Sequence, residues 1–117
     1  MDVKAFYKDI NGNYNEALSR MMIDSLIVKM VTKFMNDNSI DTLISLYDKK
    51  DYRALFASAH TLKGVAGNLS LTPLFDIACE ITEMTRNSDD VNLDKQISLL
   101  KNTYALIQEA FNKYLVH

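Results

Sequence analysis

Two histidines, His60 and His117, occur in the 117-residue chain, and His60 has neighbours that make chemistry possible. An unperturbed imidazole has a pKa of about 6.5, so near neutral pH much of it is uncharged and carries an open lone pair. Such a ring is a nucleophile that can take up an electrophilic group such as phosphoryl and hold it as a labile phosphoramidate. His60 is followed by Lys63 at i+3, Gly64 at i+4 and Gly67 at i+7, spacings that return to one side of an α-helix. Ser58, two positions earlier, falls on a different side, so the pair makes no catalytic triad.

The helix around His60 sets its direction. Leu55, Ala59, Leu62, Ala66 and Leu69 recur at four, three, four and three and mark the buried stripe. At 3.6 residues per turn, His60 lies about 140° from the centre of that stripe, Gly64 about 180°, Gly67 about 120°, Phe56 about 100° and Lys63 about 80°. The phase therefore sends His60 to solvent, against the ordinary fate of a helical histidine as a satisfied core or interface residue. A glycine inside a helix costs about 1 kcal/mol relative to alanine. Two of them beside an imidazole bare it, leaving room for a tetrahedral phosphoryl group and for another protein's surface. The plainer reading is that they let a neighbouring helix pack closely. Lys63 can reach a group carried on the ring, although a solvated lysine is the default for such a position. Phe56 either tucks against the adjacent helix or offers an apolar contact; its phase leaves both open.

The elements that position these residues all read as helices. With only 3 glycines and 1 proline, tight hairpins have few places to form. Leu93, Ile97, Leu100, Tyr104, Ile107, Phe111 and Tyr114 form one uninterrupted stripe in the C-terminal segment, after a polar stretch at 86–92. Ile23, Ile27, Met30 and Phe34 form another, and Ile40, Leu43 and Tyr47 continue it one residue out of phase. The intervening Asn36, Asp37, Asn38 and Ser39 predict one helix over about 24–49 with a kink or short break, two helices being the alternative. Helices are predicted over about 51–69 and 73–86, with Thr72 as N-cap and Pro73 at the first helical position of the second. Asn13 is a candidate cap for a short helix through Arg20. Short connections make neighbours antiparallel. The expected fold is all-α: one domain over 1–117, with an N-terminal helical extension at 1–22 and an antiparallel up-down-up-down four-helix bundle at 23–116.

Composition narrows the partners. Thirteen basic against fifteen acidic residues give a net charge of −2, no electrostatic footprint for nucleic acid or an acidic membrane. Apolar residues make up 48% and charged residues 24%, which disfavours disorder and a fibrous class. Cys79 is the only cysteine, which excludes an internal disulfide and a Cys-based metal cluster and suits a reducing, cytoplasmic setting. The chain shows no signal peptide at MDVKAFYKDI and no apolar run near the roughly 18 residues that span a bilayer. No acidic cluster for a metal and no Gly-rich nucleotide loop is evident, so neither ATP binding nor autonomous kinase activity is expected. The six methionines read as core filler, Cys79 as a small buried residue and His117 as a solvated terminus.

The run AHTLKGVAGNL at 59–69 resembles the signature of histidine phosphotransfer (HPt) domains of multistep two-component phosphorelays. The likeness extends to Asp48–Asp51, Leu74 and Glu83, and in layout covers about residues 18 to 115. It implies a four-helix bundle in which His60 is the phosphorylation site, Lys63 stabilises the phosphate and Gly64 gives steric access. Ser70 replaces a glycine that often closes the helix, Thr82 an aliphatic residue and Val65 a small one. These departures bear on partner choice and on the turn after Leu69.

The resemblance implies that Nε2 of His60 takes a phosphoryl group from a receiver-domain aspartate, or a kinase, and passes it to another receiver's aspartate. Mg²⁺ would be supplied by the receiver, and no cofactor would be bound by this chain. Ala57, Thr61, Gly67 and Asn68, with Phe56 at the edge, are the expected partner-binding residues of a monomer that engages neither nucleic acid nor membrane. Whether such a phosphocarrier counts as an enzyme stays open. A histidine kinase dimerisation domain is disfavoured because Thr61, not an acidic residue, follows His60. A helical module that binds receivers without being phosphorylated is the alternative.

Overall fold

The computed structural model describes residues 1–116, so the expectation for His117 lies outside the described residues. Among them the chain forms seven helices: α1 (Val3–Asp9), α2 (Tyr14–Met21), α3 (Asp24–Met35), α4 (Ser39–Asp48), α5 (Tyr52–Asn68), α6 (Thr72–Thr85) and α7 (Asp94–Tyr114). α5 packs most extensively on α6 and also meets α4; α6 meets α7, α7 meets α1, and α2 meets α3. The molecule measures 43 × 24 × 20 Å along its principal axes.

α5 forms where the stripe predicts. Asp51 caps it, its side chain accepting from the Ala54 N–H at 3.2 Å, which satisfies a backbone donor the helix leaves free. Leu55, Ala59, Leu62, Ala66 and Leu69 are all buried, and burial of each leucine side chain contributes about 1.5–3 kcal/mol. The helix closes in a Schellman turn, with Ser70 N–H donating to Gly67 O at 3.1 Å and Leu71 N–H to Ala66 O at 3.0 Å. This geometry needs a left-handed residue at the position after the cap, and Ser70 supplies it at φ 53°. The departure from glycine noted in the sequence therefore falls where glycine is cheapest. Thr82, the other departure in a buried place, satisfies its hydroxyl by donating to Ala78 O at 2.6 Å on its own helix.

The helix expected over 24–49 is two, α3 and α4, broken at Asn36–Asn38, where Asp37 turns its carboxylate back to accept from the Ser39 N–H at 2.9 Å. Ile23, expected on the buried stripe, is instead the extended N-cap of α3 and 58% exposed. Met22 before it, at φ 75°, turns the chain so that the helical phase starts only after Ile23, and Val31 fills the core with Ile27 and Phe34. α6 begins one residue earlier than expected: Leu71 is the N-cap, without a side-chain cap bond, and Thr72 is already helical. Asn13 caps α2 as expected, accepting from Glu16 N–H at 3.0 Å. The C-terminal stripe holds, with Leu93, Ile97, Leu100, Ile107 and Phe111 buried and Tyr104 and Tyr114 packed against the core. The methionines are not buried core filler: Met21, Met30, Met35 and Met84 only border the core, while Met1 and Met22 are exposed. Cys79 is half-buried rather than buried.

Candidate functional site

The candidate residues lie on the outer face of α5. His60 is exposed, as are Ala57, Thr61, Gly64 and Asn68, while Phe56, Lys63 and Gly67 are half-buried. His60, Lys63, Gly64, Gly67 and Asn68 line one open depression of about 560 Å³, joined from α2 by Glu16 and Arg20 and from α6 by Phe75 and Asp76. Ala57 and Thr61 lie on the same helix but do not line it. The Thr61 hydroxyl donates to Ala57 O at 3.0 Å, so its proton is spent on its own helix.

The two glycines beside His60 differ. A methyl group built on Gly64 meets nothing within 4 Å, whereas one on Gly67 comes within 3.1 Å of the Phe75 ring of α6. Close helix packing therefore accounts for Gly67 and gives no account of Gly64, where the missing side chain leaves only open space beside the imidazole.

Phe56 is half-buried and meets the imidazole on its own helix and, from the adjacent α6, the side chain of Arg86. Its ring lies nearly parallel to His60, at 16° with centroids 6.2 Å apart, and the Arg86 guanidinium covers it 5.1 Å from the centroid. Arg86 also pairs with Glu83, Nη2 donating to Oε1 at 3.0 Å. The hydrogen bonds and charge of Arg86, with a further contribution from the charge of Lys63, hold the Glu83 carboxyl below its usual range.

At the far end of the depression Arg20 Nη1 donates to Asn68 O at 3.0 Å and to Ser70 Oγ at 2.8 Å, and its Nη2 pairs with Glu16 at 2.7 Å. Sequence reasoning missed Arg86, Arg20 and Glu16. Glu83 and Arg86 carried a weak signal as an i, i+3 ion pair, but Arg20 lies 48 residues from Asn68 and no local pattern connects them. Among the described residues no three His, Cys, Asp or Glu side chains gather as metal ligands, and no helix is long and apolar enough to cross a membrane.

An all-helical chain presenting an exposed imidazole one turn before a lysine and a glycine has the make-up of a histidine group carrier. The chain belongs to the Hpt domain family, whose family model matches residues 29–110, from within α3 to within α7. That membership places it in histidine phosphotransfer of two-component signalling. No curated protein and no solved structure matches it significantly.

Proposed function

We propose that His60 accepts a phosphoryl group from a receiver-domain aspartate, or from a kinase, and passes it to another receiver's aspartate in a phosphorelay. The observation that carries this reading is the exposed imidazole of His60 beside a Gly64 that no packing accounts for. In the accepting step the Nε2 lone pair forms the N–P bond as the P–O bond to the aspartyl carboxylate breaks, in line, and the carboxylate leaves. Lys63 stabilises the charged phosphoryl oxygens, Gly64 leaves the approach clear, and the receiver contributes Mg²⁺. Phe56, Ala57, Thr61, Gly67 and Asn68 belong to the receiver-docking face, with Gly67 acting through the Phe75 ring it admits.

The reading takes residues 1–117 as a single domain that works as a monomer with cytoplasmic receivers. Helices α3 with α4, α5, α6 and α7 act as the antiparallel four-helix bundle and residues 1–22 as its extension. Incubation with a phosphorylated receiver and Mg²⁺ should yield an acid-labile, base-stable label on the wild-type chain and none on His60→Gln. Label that persists on the variant would remove the assignment. Receiver binding without any label would favour the non-phosphorylated module instead.

A further inference from the structure

Arg86, one aromatic ring away from His60, is paired with the carboxylate of Glu83. Arg86 stands at the C-cap of α6, where its guanidinium lies over Phe56, the ring that also faces the imidazole. Its fork is engaged by Glu83, Nη2 to Oε1 at 3.0 Å and Nε to Oε2 at 3.4 Å. Lys63, one turn beyond His60 on α5, acts on the same carboxylate through its charge. The family likeness pointed to Glu83 only as a matching position and gave it no task.

Resting on His60 as the phosphoryl carrier, we infer that Glu83 is a placeholder anion. It holds Arg86 over Phe56 and offsets the charge of Lys63 in the unphosphorylated chain, and frees both when the imidazole is modified, so that Arg86 becomes part of a phosphoryl-binding subsite. The pair is well suited to exchange. Both side chains are substantially exposed, 47% for Arg86 and 65% for Glu83, and an ion pair so placed contributes little stability. A phosphoryl group carries up to two charges and three strong acceptor oxygens, and a guanidinium bonds it bidentately. Competition between carboxylate and phosphoryl therefore favours the phosphoryl group. The Phe56 ring meanwhile gives the planar guanidinium a face to lie on, a contact lysine at 86 would make poorly.

The test is the equilibrium ratio of phosphohistidine to receiver aspartyl phosphate, measured at concentrations where the free proteins dominate. Under those conditions the ratio depends on the free species and is blind to docking contacts. Arg86→Ala should shift it about five-fold toward the receiver, and Arg86→Lys should recover only part of that loss. Glu83→Gln should shift it about three-fold toward phosphohistidine, because the cations are released without being removed. That gain should vanish in the Arg86→Ala/Lys63→Ala background. Glu109→Gln, the same charge change on α7, should leave the ratio at the wild-type value. A wild-type ratio in Glu83→Gln, an equal shift in Glu109→Gln, or a Glu83→Gln gain that survives loss of both cations each overturns the inference. A wild-type chain whose His60 takes no label from the receiver or from phosphoramidate overturns the carrier reading itself, which separates the two failures.

Discussion

At the scale of single residues, Gly64 and Gly67 make a controlled comparison. Both sit inside α5, where replacing glycine by alanine is worth about 1 kcal/mol of helix stability. Gly64→Ala meets open space, so it should raise the thermal midpoint while slowing phosphoryl transfer, and Gly64→Gln should slow transfer further with the fold intact. Gly67→Ala must push back the Phe75 ring, 3.1 Å from the new methyl, and should come out at least about 1 kcal/mol less stable than Gly64→Ala. Thermal unfolding paired with initial transfer rates checks both; unchanged rates in both Gly64 variants would remove its steric role. The direction of His60 was legible in the sequence because helical phase is a local property of α5. The separate tasks of the glycines were not, since the ring that distinguishes them belongs to α6. Arg20 and Arg86 escaped notice for the same reason: their places depend on packing between elements.

At the scale of elements, the junction of α2 with the α5–α6 turn decides how firmly the end of the site helix is held. Left-handed backbone at a non-glycine residue costs about 1–2 kcal/mol, and Ser70 adopts it. Its contacts with α2 offset that cost. The Asn13 N–H donates to Ser70 O at 3.0 Å, the Ser70 hydroxyl donates to Glu16 at 2.9 Å, and Arg20 donates to Ser70 Oγ. Hydrogen bonds from Arg20 and then Ser70 lower the Glu16 pKa. A carboxylate whose folded pKa lies below its unfolded value stabilises the fold above the unfolded pKa and loses that effect as pH falls through the folded one. The thermal midpoint of wild type should therefore exceed that of Glu16→Gln at pH 7, with the gap closing below about pH 4. A gap constant down to pH 3 would show that the charge of Glu16 is irrelevant to the junction. The helices themselves were legible from apolar spacing, and the Asn36–Asn38 cluster marked the break between α3 and α4. The first residue of α3 was not legible, because Met22 and Ile23 violate the local preferences for a turn and a cap and only the folded backbone shows where the phase begins.

At the scale of the whole molecule, the buried core extends beyond the segment that matches the family. The match begins at residue 29, yet Val3, Phe6, Tyr7 and Ile10 are buried in the same core as Leu69, Leu71 and Leu115. The Tyr7 hydroxyl donates to Leu69 O at 2.7 Å, and the Asp2 N–H donates to Tyr114 O at 3.2 Å, so α1 ties the end of the site helix to the end of α7. Removing four buried apolar side chains, at about 1.5–3 kcal/mol each, forfeits roughly 6–12 kcal/mol as an upper bound. That is comparable to the entire stability of an ordinary domain, about 5–15 kcal/mol. In the full chain, urea unfolding followed by far-UV circular dichroism and by tyrosine fluorescence should give one coincident transition. A chain lacking residues 1–12 should show no cooperative transition and should lose phosphoryl transfer with it, although every residue of the site is still present. If the shortened chain instead unfolds at the full-length midpoint, the extension is an appendage, and the core that positions His60 is complete without it.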